Sequence, residues 1–171
     1  FGIFRLYING FCYGEKAPEH SWFGGVDYGF EELLNNKRNY DNFFENYSDL
    51  EIIKAQWHFF CVVPFPSAAK KVEMDNKEFL GISGKDFRKS FYSFRSEAHF
   101  DDGSEVFLFN NDKLVKLLGY RDLGLDETDD VIIGDVNSVI IPRKEFYDII
   151  QKSLDYILSE RDKAIKICQM Y

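Results

Sequence analysis

Histidine, cysteine and proline are scarce in this chain of 171 residues, with three, three and four of each. His20, His58 and His99 stand at no metal-ligand spacing, and none has a cysteine at zinc-finger distance, so no metal site is expected. Cys12, Cys61 and Cys168 are odd in number, far apart and set among apolar neighbours. That fits buried thiols in a reducing cytoplasm and not a disulfide framework. No apolar run nears the ~18 residues that a membrane span needs. The opening Phe1-Gly-Ile-Phe-Arg-Leu is interrupted by Arg5 and is no signal peptide. Because the chain opens on Phe1 and not on methionine, residues are expected to precede it.

Catalytic motifs are missing as well. Gly24-Gly25 and the Gly119–Gly124 stretch lack the pattern of a phosphate loop, and no serine sits in a Gly-x-Ser-x-Gly elbow. His58 and Cys61 would point to opposite faces of a strand, which rules them out as a nucleophile pair on that assignment. The carboxylates of Asp126-Glu127-Thr128-Asp129-Asp130 are contiguous, without the alternation and central glycine of a calcium loop. No enzyme activity and no cofactor are expected.

What the chain has is segregated charge. Between Glu97 and Asp135 eleven acidic side chains face three basic ones, which accounts for the whole formal net charge of −8. The rest sums to zero. Such a segment on a globular body suggests a surface that receives something cationic, and argues against nucleic acid or an anionic membrane as partner. The 18 Phe and 10 Tyr supply core area and favour strands.

The length suits one domain, residues 1–171. Asn9-Gly10 between apolar runs predicts a hairpin with strands at 2–8 and 11–14. Phe30, Leu33 and Leu34, then Tyr40, Phe43, Phe44 and Tyr47, stand at helical spacing, with Asn35-Asn36 separating two short helices. Trp57 to Val63 reads as a buried central strand. Residues 67–88 read as a basic helix–loop segment. A second hairpin joins 90–100 to 104–110 through Asp101-Asp102-Gly103, with Ala98 opposite Val106 and His99 opposite Glu105. Leu114–Tyr120 reads as a strand, 121–137 as an exposed acidic loop holding a short strand at 131–133, and Val139–Ile141 as the last strand. Pro142 precedes a helix from 143 to about 167, ~37 Å long. Its stripe is Phe146, Ile149, Ile150, Leu154, Ile157, Leu158 and Ile165, and Lys144/Asp148, Asp148/Lys152 and Asp162/Lys166 stand as i,i+4 pairs on the wet side. The class is α+β: a mostly antiparallel sheet, helices packed on one face, and a long C-terminal helix.

The opening Tyr7-Ile8-Asn9-Gly10-Phe11-Cys12-Tyr13-Gly14 resembles the first hairpin of a family of bacterial polymorphic-toxin immunity proteins. The late order is similar too: a Phe-rich strand at Val106–Phe109, a short strand, then a closing helix near Glu145-Phe146. The resemblance implies a cytoplasmic, non-enzymatic protein that neutralises a cognate toxin domain, such as one delivered in contact-dependent inhibition. A basic nuclease whose active site is occluded is the expected target. The expected contacts are Asp101, Asp102, Glu105, Asp122, Asp126, Glu127, Asp129, Asp130 and Asp135, with Tyr120 and Leu125 as apolar anchors. Two alternatives stand beside it. One is an acidic nucleic-acid mimic that inhibits a DNA- or RNA-binding enzyme. The other is a metal-dependent hydrolase in which carboxylates converge with His99.

Overall fold

Asn9 and Gly10 take φ of 51° and 81°, as a type I′ turn demands, and close strands β1 (Leu6–Ile8) and β2 (Phe11–Tyr13) with Ile8 opposite Phe11. Helices α1 (Phe23–Asn36), α2 (Phe43–Asn46) and α3 (Asp49–Phe60) follow. A minimal hairpin, β3 (Glu78–Phe79) and β4 (Ile82–Ser83), leads into α4 (Gly84–Lys89). The main sheet comprises β5 (Tyr92–Ser93), β6 (Ser104–Asn110), β7 (Leu114–Leu125) and β8 (Val131–Pro142), antiparallel throughout in the order β5-β6-β7-β8. Helix α5 (Arg143–Cys168) closes the chain. The computed structural model describes residues 5–14, 23–37, 43–60, 77–94, 104–127 and 131–168.

Strand β6 is buried along its whole length because both faces of the sheet are covered. Val106 and Leu108 point to one face, where Phe30 and Leu33 of α1, Phe146, Ile150 and Leu154 of α5, and Ile8 and Tyr13 of the first hairpin pack. Phe107 and Phe109 point to the other, where Leu118 and Tyr120 meet Phe44 of α2 and Ile52 and Ile53 of α3. Ala55, Phe59 and Phe87 extend this second layer beneath α4. The class is therefore α+β, with a long C-terminal helix. The two longest helices share one face as expected, and the short ones add a layer on the other.

Three expectations of local structure need correcting. Trp57–Phe60 is helix, not strand, and 61–63 lie outside the described residues. Ser48 starts that helix: its N–H and Oγ–H donate to Glu51 Oε2 at 2.8 and 2.7 Å, and its Oγ accepts from Glu51 N–H at 3.4 Å. This reciprocal cap nine residues upstream decides between strand and helix for a run that apolar content alone leaves ambiguous. Residues 121–125 and 131–137, expected as loop but for 131–133, form a two-stranded ladder, with Arg121 opposite Gly134 and Leu125 opposite Val131; 128–130 lie outside the described residues. In β5, Tyr92 pairs with Leu108 and Ser93 with Phe107, four residues from the expected register. The even offset keeps every side chain on its face. The turn itself, with Ala98, His99, Asp101 and Asp102, lies outside the described residues.

Helix α5 matches its expected bounds, but its apolar stripe is buried only through Leu154, with Ile157 and Leu158 half-covered. Ile149 and Ile165 are exposed. Among the described residues, the ion pair within α5 is Lys163 to Glu160 at 2.6 Å; the three expected i,i+4 pairs do not form. The thiols differ from expectation too: Cys12 is half-buried and Cys168 exposed, both free, while Cys61 lies outside the described residues.

Candidate functional site

Strand β6 ends its pairing with β7 at Ser104 opposite Arg121. Past that point, among the described residues, β7 has only β8 as a strand partner, and residues 122–125 and 131–134 form a two-stranded arm. Two bulges shape it. Asp135 and Val136 together face Tyr120, and Leu123 with Gly124 faces Ile132. Each bulge adds twist and re-aims the side chains that follow. Asp135 sits at φ 52° and Gly124 at φ 103°, conformations that asparagine, aspartate and glycine accept most easily. Asp122 Oδ1 accepts from Gly124 N–H at 2.9 Å and fixes the outer bulge.

The arm carries exposed apolar side chains close in sequence to acidic ones. Leu123, Leu125 and Ile132 are 59%, 49% and 42% exposed. Asp126 and Glu127 beside them are exposed, and Asp122 is half-buried. Leu123 lies over Gly134, where an added Cβ would come within 2.8 Å of its Cδ1. Residues 121–135 hold six carboxylates against Arg121 alone.

A free two-stranded ribbon is marginal in water, so the base of the arm needs an anchor. The first hairpin supplies it. The buried Tyr13 hydroxyl lies 2.6 Å from Asp135 O and 2.9 Å from Gly119 O, and shares its one proton between them. It accepts from Asn137 Nδ2 at 3.2 Å. Burial is the main reason its pKa is raised. Arg121 stacks on Phe11 at 5.2 Å, donates to Cys12 O at 3.3 Å and reaches Asp135 Oδ2 at 3.5 Å. Asn9 Nδ2 donates to Ser138 O at 2.7 Å. The Tyr7–Gly14 segment is thus the clamp that sets where the arm points.

Of the expected contact residues, the structure gathers Asp122, Leu125, Asp126 and Glu127 on the arm and Asp135, exposed, at its base. Two others lie in the interior. Tyr120 is fully buried, stacked on Phe107, and its hydroxyl donates to Gln56 Oε1 at 2.8 Å. Glu105 is 4% exposed, opposite Tyr120. Both sit on the sheet face that α3 covers, so they leave the candidate surface. Asp101, Asp102, Asp129 and Asp130 lie outside the described residues. Leu123 and Ile132 escaped the sequence reading, although Leu-Gly-Leu between two aspartates was a signal for an exposed turn-like apolar pair. His58 stacks on Phe79 at 4.8 Å. Among the described residues, no group of three or more His, Cys, Asp or Glu could hold a metal ion, and no helix is long and apolar enough to cross a membrane.

The resemblance carried by the first hairpin and the late strand–helix order points to immunity proteins, and comparison with known families gives that class. The family model of Immunity protein 42 (Imm42) matches residues 1–156, and the chain belongs to that family. The match takes in the clamp, the sheet, the arm and the packed half of α5. No curated protein and no solved structure matches the chain.

Proposed function

We propose that this immunity protein neutralises a basic toxin domain, a nuclease, by docking the β7–β8 arm across its active site. It performs no reaction of its own and acts in the cytoplasm, where such a toxin would strike. The observation that carries this reading is the exposed trio Leu123, Leu125 and Ile132, close in sequence to carboxylates. Apolar side chains at the centre of an interface hold most of its energy once water is excluded, and the rim governs encounter rate and selectivity. A cationic cleft built for a polyanion offers the complementary field. The working contact set is Asp122, Leu123, Leu125, Asp126, Glu127, Ile132 and Asp135, with Asp101, Asp102, Asp129 and Asp130 kept from the sequence reading.

The test is calorimetric titration of the toxin domain encoded in the neighbouring gene. Leu123→Ala with Leu125→Ala should weaken binding by about 10- to 100-fold. Asp126→Lys with Glu127→Lys should slow association by about tenfold at low salt, an effect that fades at high salt. Unchanged affinity in both variants removes the arm from the interface. Occlusion has its own check: a ternary complex of immunity protein, toxin and uncleavable nucleic acid would exclude it.

A further inference from the structure

On the sheet face opposite α3, helix α5 and strand β1 do not close over the strands beneath them. Between them lies a slot of about 540 Å³, within the roughly 300–1,000 Å³ of small-molecule sites. Leu117, Val139 and Ile141 of β7 and β8 form its floor. Among the described residues, its charged lining is Arg5 and Lys152, both exposed, with no carboxylate. Neither cation forms an ion pair among the described residues, in a chain of net charge −8. Tyr7 and Tyr156, 62% and 67% exposed, line the same opening.

The two halves of this slot ask for different chemistry. Its floor rewards burial of hydrocarbon. The two cations at the rim attract an anion, so a neutral or cationic guest meets one half only. A peptide would carry backbone N–H and C=O groups onto Leu117, Val139 and Ile141, whose side chains offer no hydrogen-bond partner, and each such group is costly to bury unpaired. An alkyl chain carries none. We propose that this slot binds a single-chain aliphatic carboxylate, its chain on Leu117, Val139 and Ile141 and its head group at Arg5 and Lys152. The site lies apart from the arm and stands or falls independently of the toxin.

The experiment titrates the full chain with decanoate, dodecanoate and tetradecanoate by calorimetry, each below its micelle concentration. One equivalent should bind, with affinity rising by about fourfold per methylene until the slot is full. Arg5→Gln with Lys152→Gln should weaken dodecanoate by about tenfold. The cationic probe dodecyltrimethylammonium should bind the unaltered protein at least about tenfold more weakly than dodecanoate. Ser153→Phe, which places a ring in the slot, should abolish binding. The charge substitutions are at exposed positions, and an unfolding curve for each variant verifies that it folds. Absent or non-saturable binding overturns the proposal. So does equal affinity for the cationic probe, or indifference to the charge variant, either of which marks an unselective apolar patch. A ligand-free protein whose mass doubles with concentration, and loses the doubling on Ser153→Phe, would show a second copy in the slot and overturn it equally.

Discussion

Replacing Gly119 by alanine isolates the clamp at the base of the arm. An added Cβ would stand 2.5 Å from Cε2 and Cζ of the Tyr13 ring and 3.0 Å from Cδ2. The ring cannot retreat freely, because it is buried and its hydroxyl is tied to Gly119 O, Asp135 O and Asn137. The strand cannot retreat either, because β7 at this position pairs with Val106 on one side and Asn137 on the other. Overpacking of this kind costs about 1–3 kcal/mol. Gly119 has an ordinary backbone conformation, so alanine recovers about 0.4–1 kcal/mol by restricting the unfolded chain. With the contact at 2.5 Å and neither side free to move, the upper part of that cost applies, and the net expectation is a loss of about 1–2 kcal/mol. At this chain length that lowers Tm by roughly 2–8 °C. Urea unfolding followed by far-UV circular dichroism measures it, and a Tyr13→Ala background provides the control. In that background the ring is gone and Gly119→Ala should cost little, a coupling of at least about 1 kcal/mol. A Gly119→Ala protein as stable as the parent, or the same cost in both backgrounds, would refute the clash.

Tyr13→Phe keeps the ring and removes the donor shared by Gly119 O and Asp135 O, for an expected loss of about 1–2 kcal/mol by urea titration. Because burial raises the Tyr13 pKa above 10.0, its contribution is complete below the unfolded value and fades as pH climbs through the folded one. Alkaline loss of stability above about pH 10 should therefore be smaller in Tyr13→Phe. Glu51 behaves in the opposite sense: its hydrogen bonds to Ser48 hold its pKa below 4.5. The stability gap between the parent and Glu51→Gln should be present above that value and close as pH falls through the folded pKa. Lys116→Ala strands Asp49 beside the second core layer and should cost about 1–3 kcal/mol, less when Asp49→Asn is added, in a double-mutant cycle. Leu123→Ala and Leu125→Ala should change Tm little, within about 0.5 kcal/mol each, since both side chains are exposed.

Local rules carried the sequence reading where one or two residues decide the outcome. Asn9-Gly10 admits few turns other than the one observed, and the 3.6-residue spacing after Pro142 marks α5 within a residue. Alternation in Val106–Phe109 gives a strand, but cannot reveal that both of its faces are covered. The reading failed where distant partners decide. Tyr120 sits next to an acidic run and looks like surface; Gln56, sixty-four positions earlier in the chain, is what draws it inside. The arm was hidden because its two bulges each break the two-residue period, so the outer end of β7, residues 121–125, reads as loop although Leu114–Tyr120 reads as strand. The Ser48 to Glu51 cap was visible in the sequence and would have turned Trp57–Phe60 into helix.

Beyond Arg121 no side chain of β7 belongs to the core, and Leu123, Gly124 and Leu125 are exposed. Mutations there are nearly silent for folding, while the clamp and sheet hold the stem in one orientation. On the proposed docking mode, selection can therefore rewrite the fingertip against each new adversary and leave the hand unchanged.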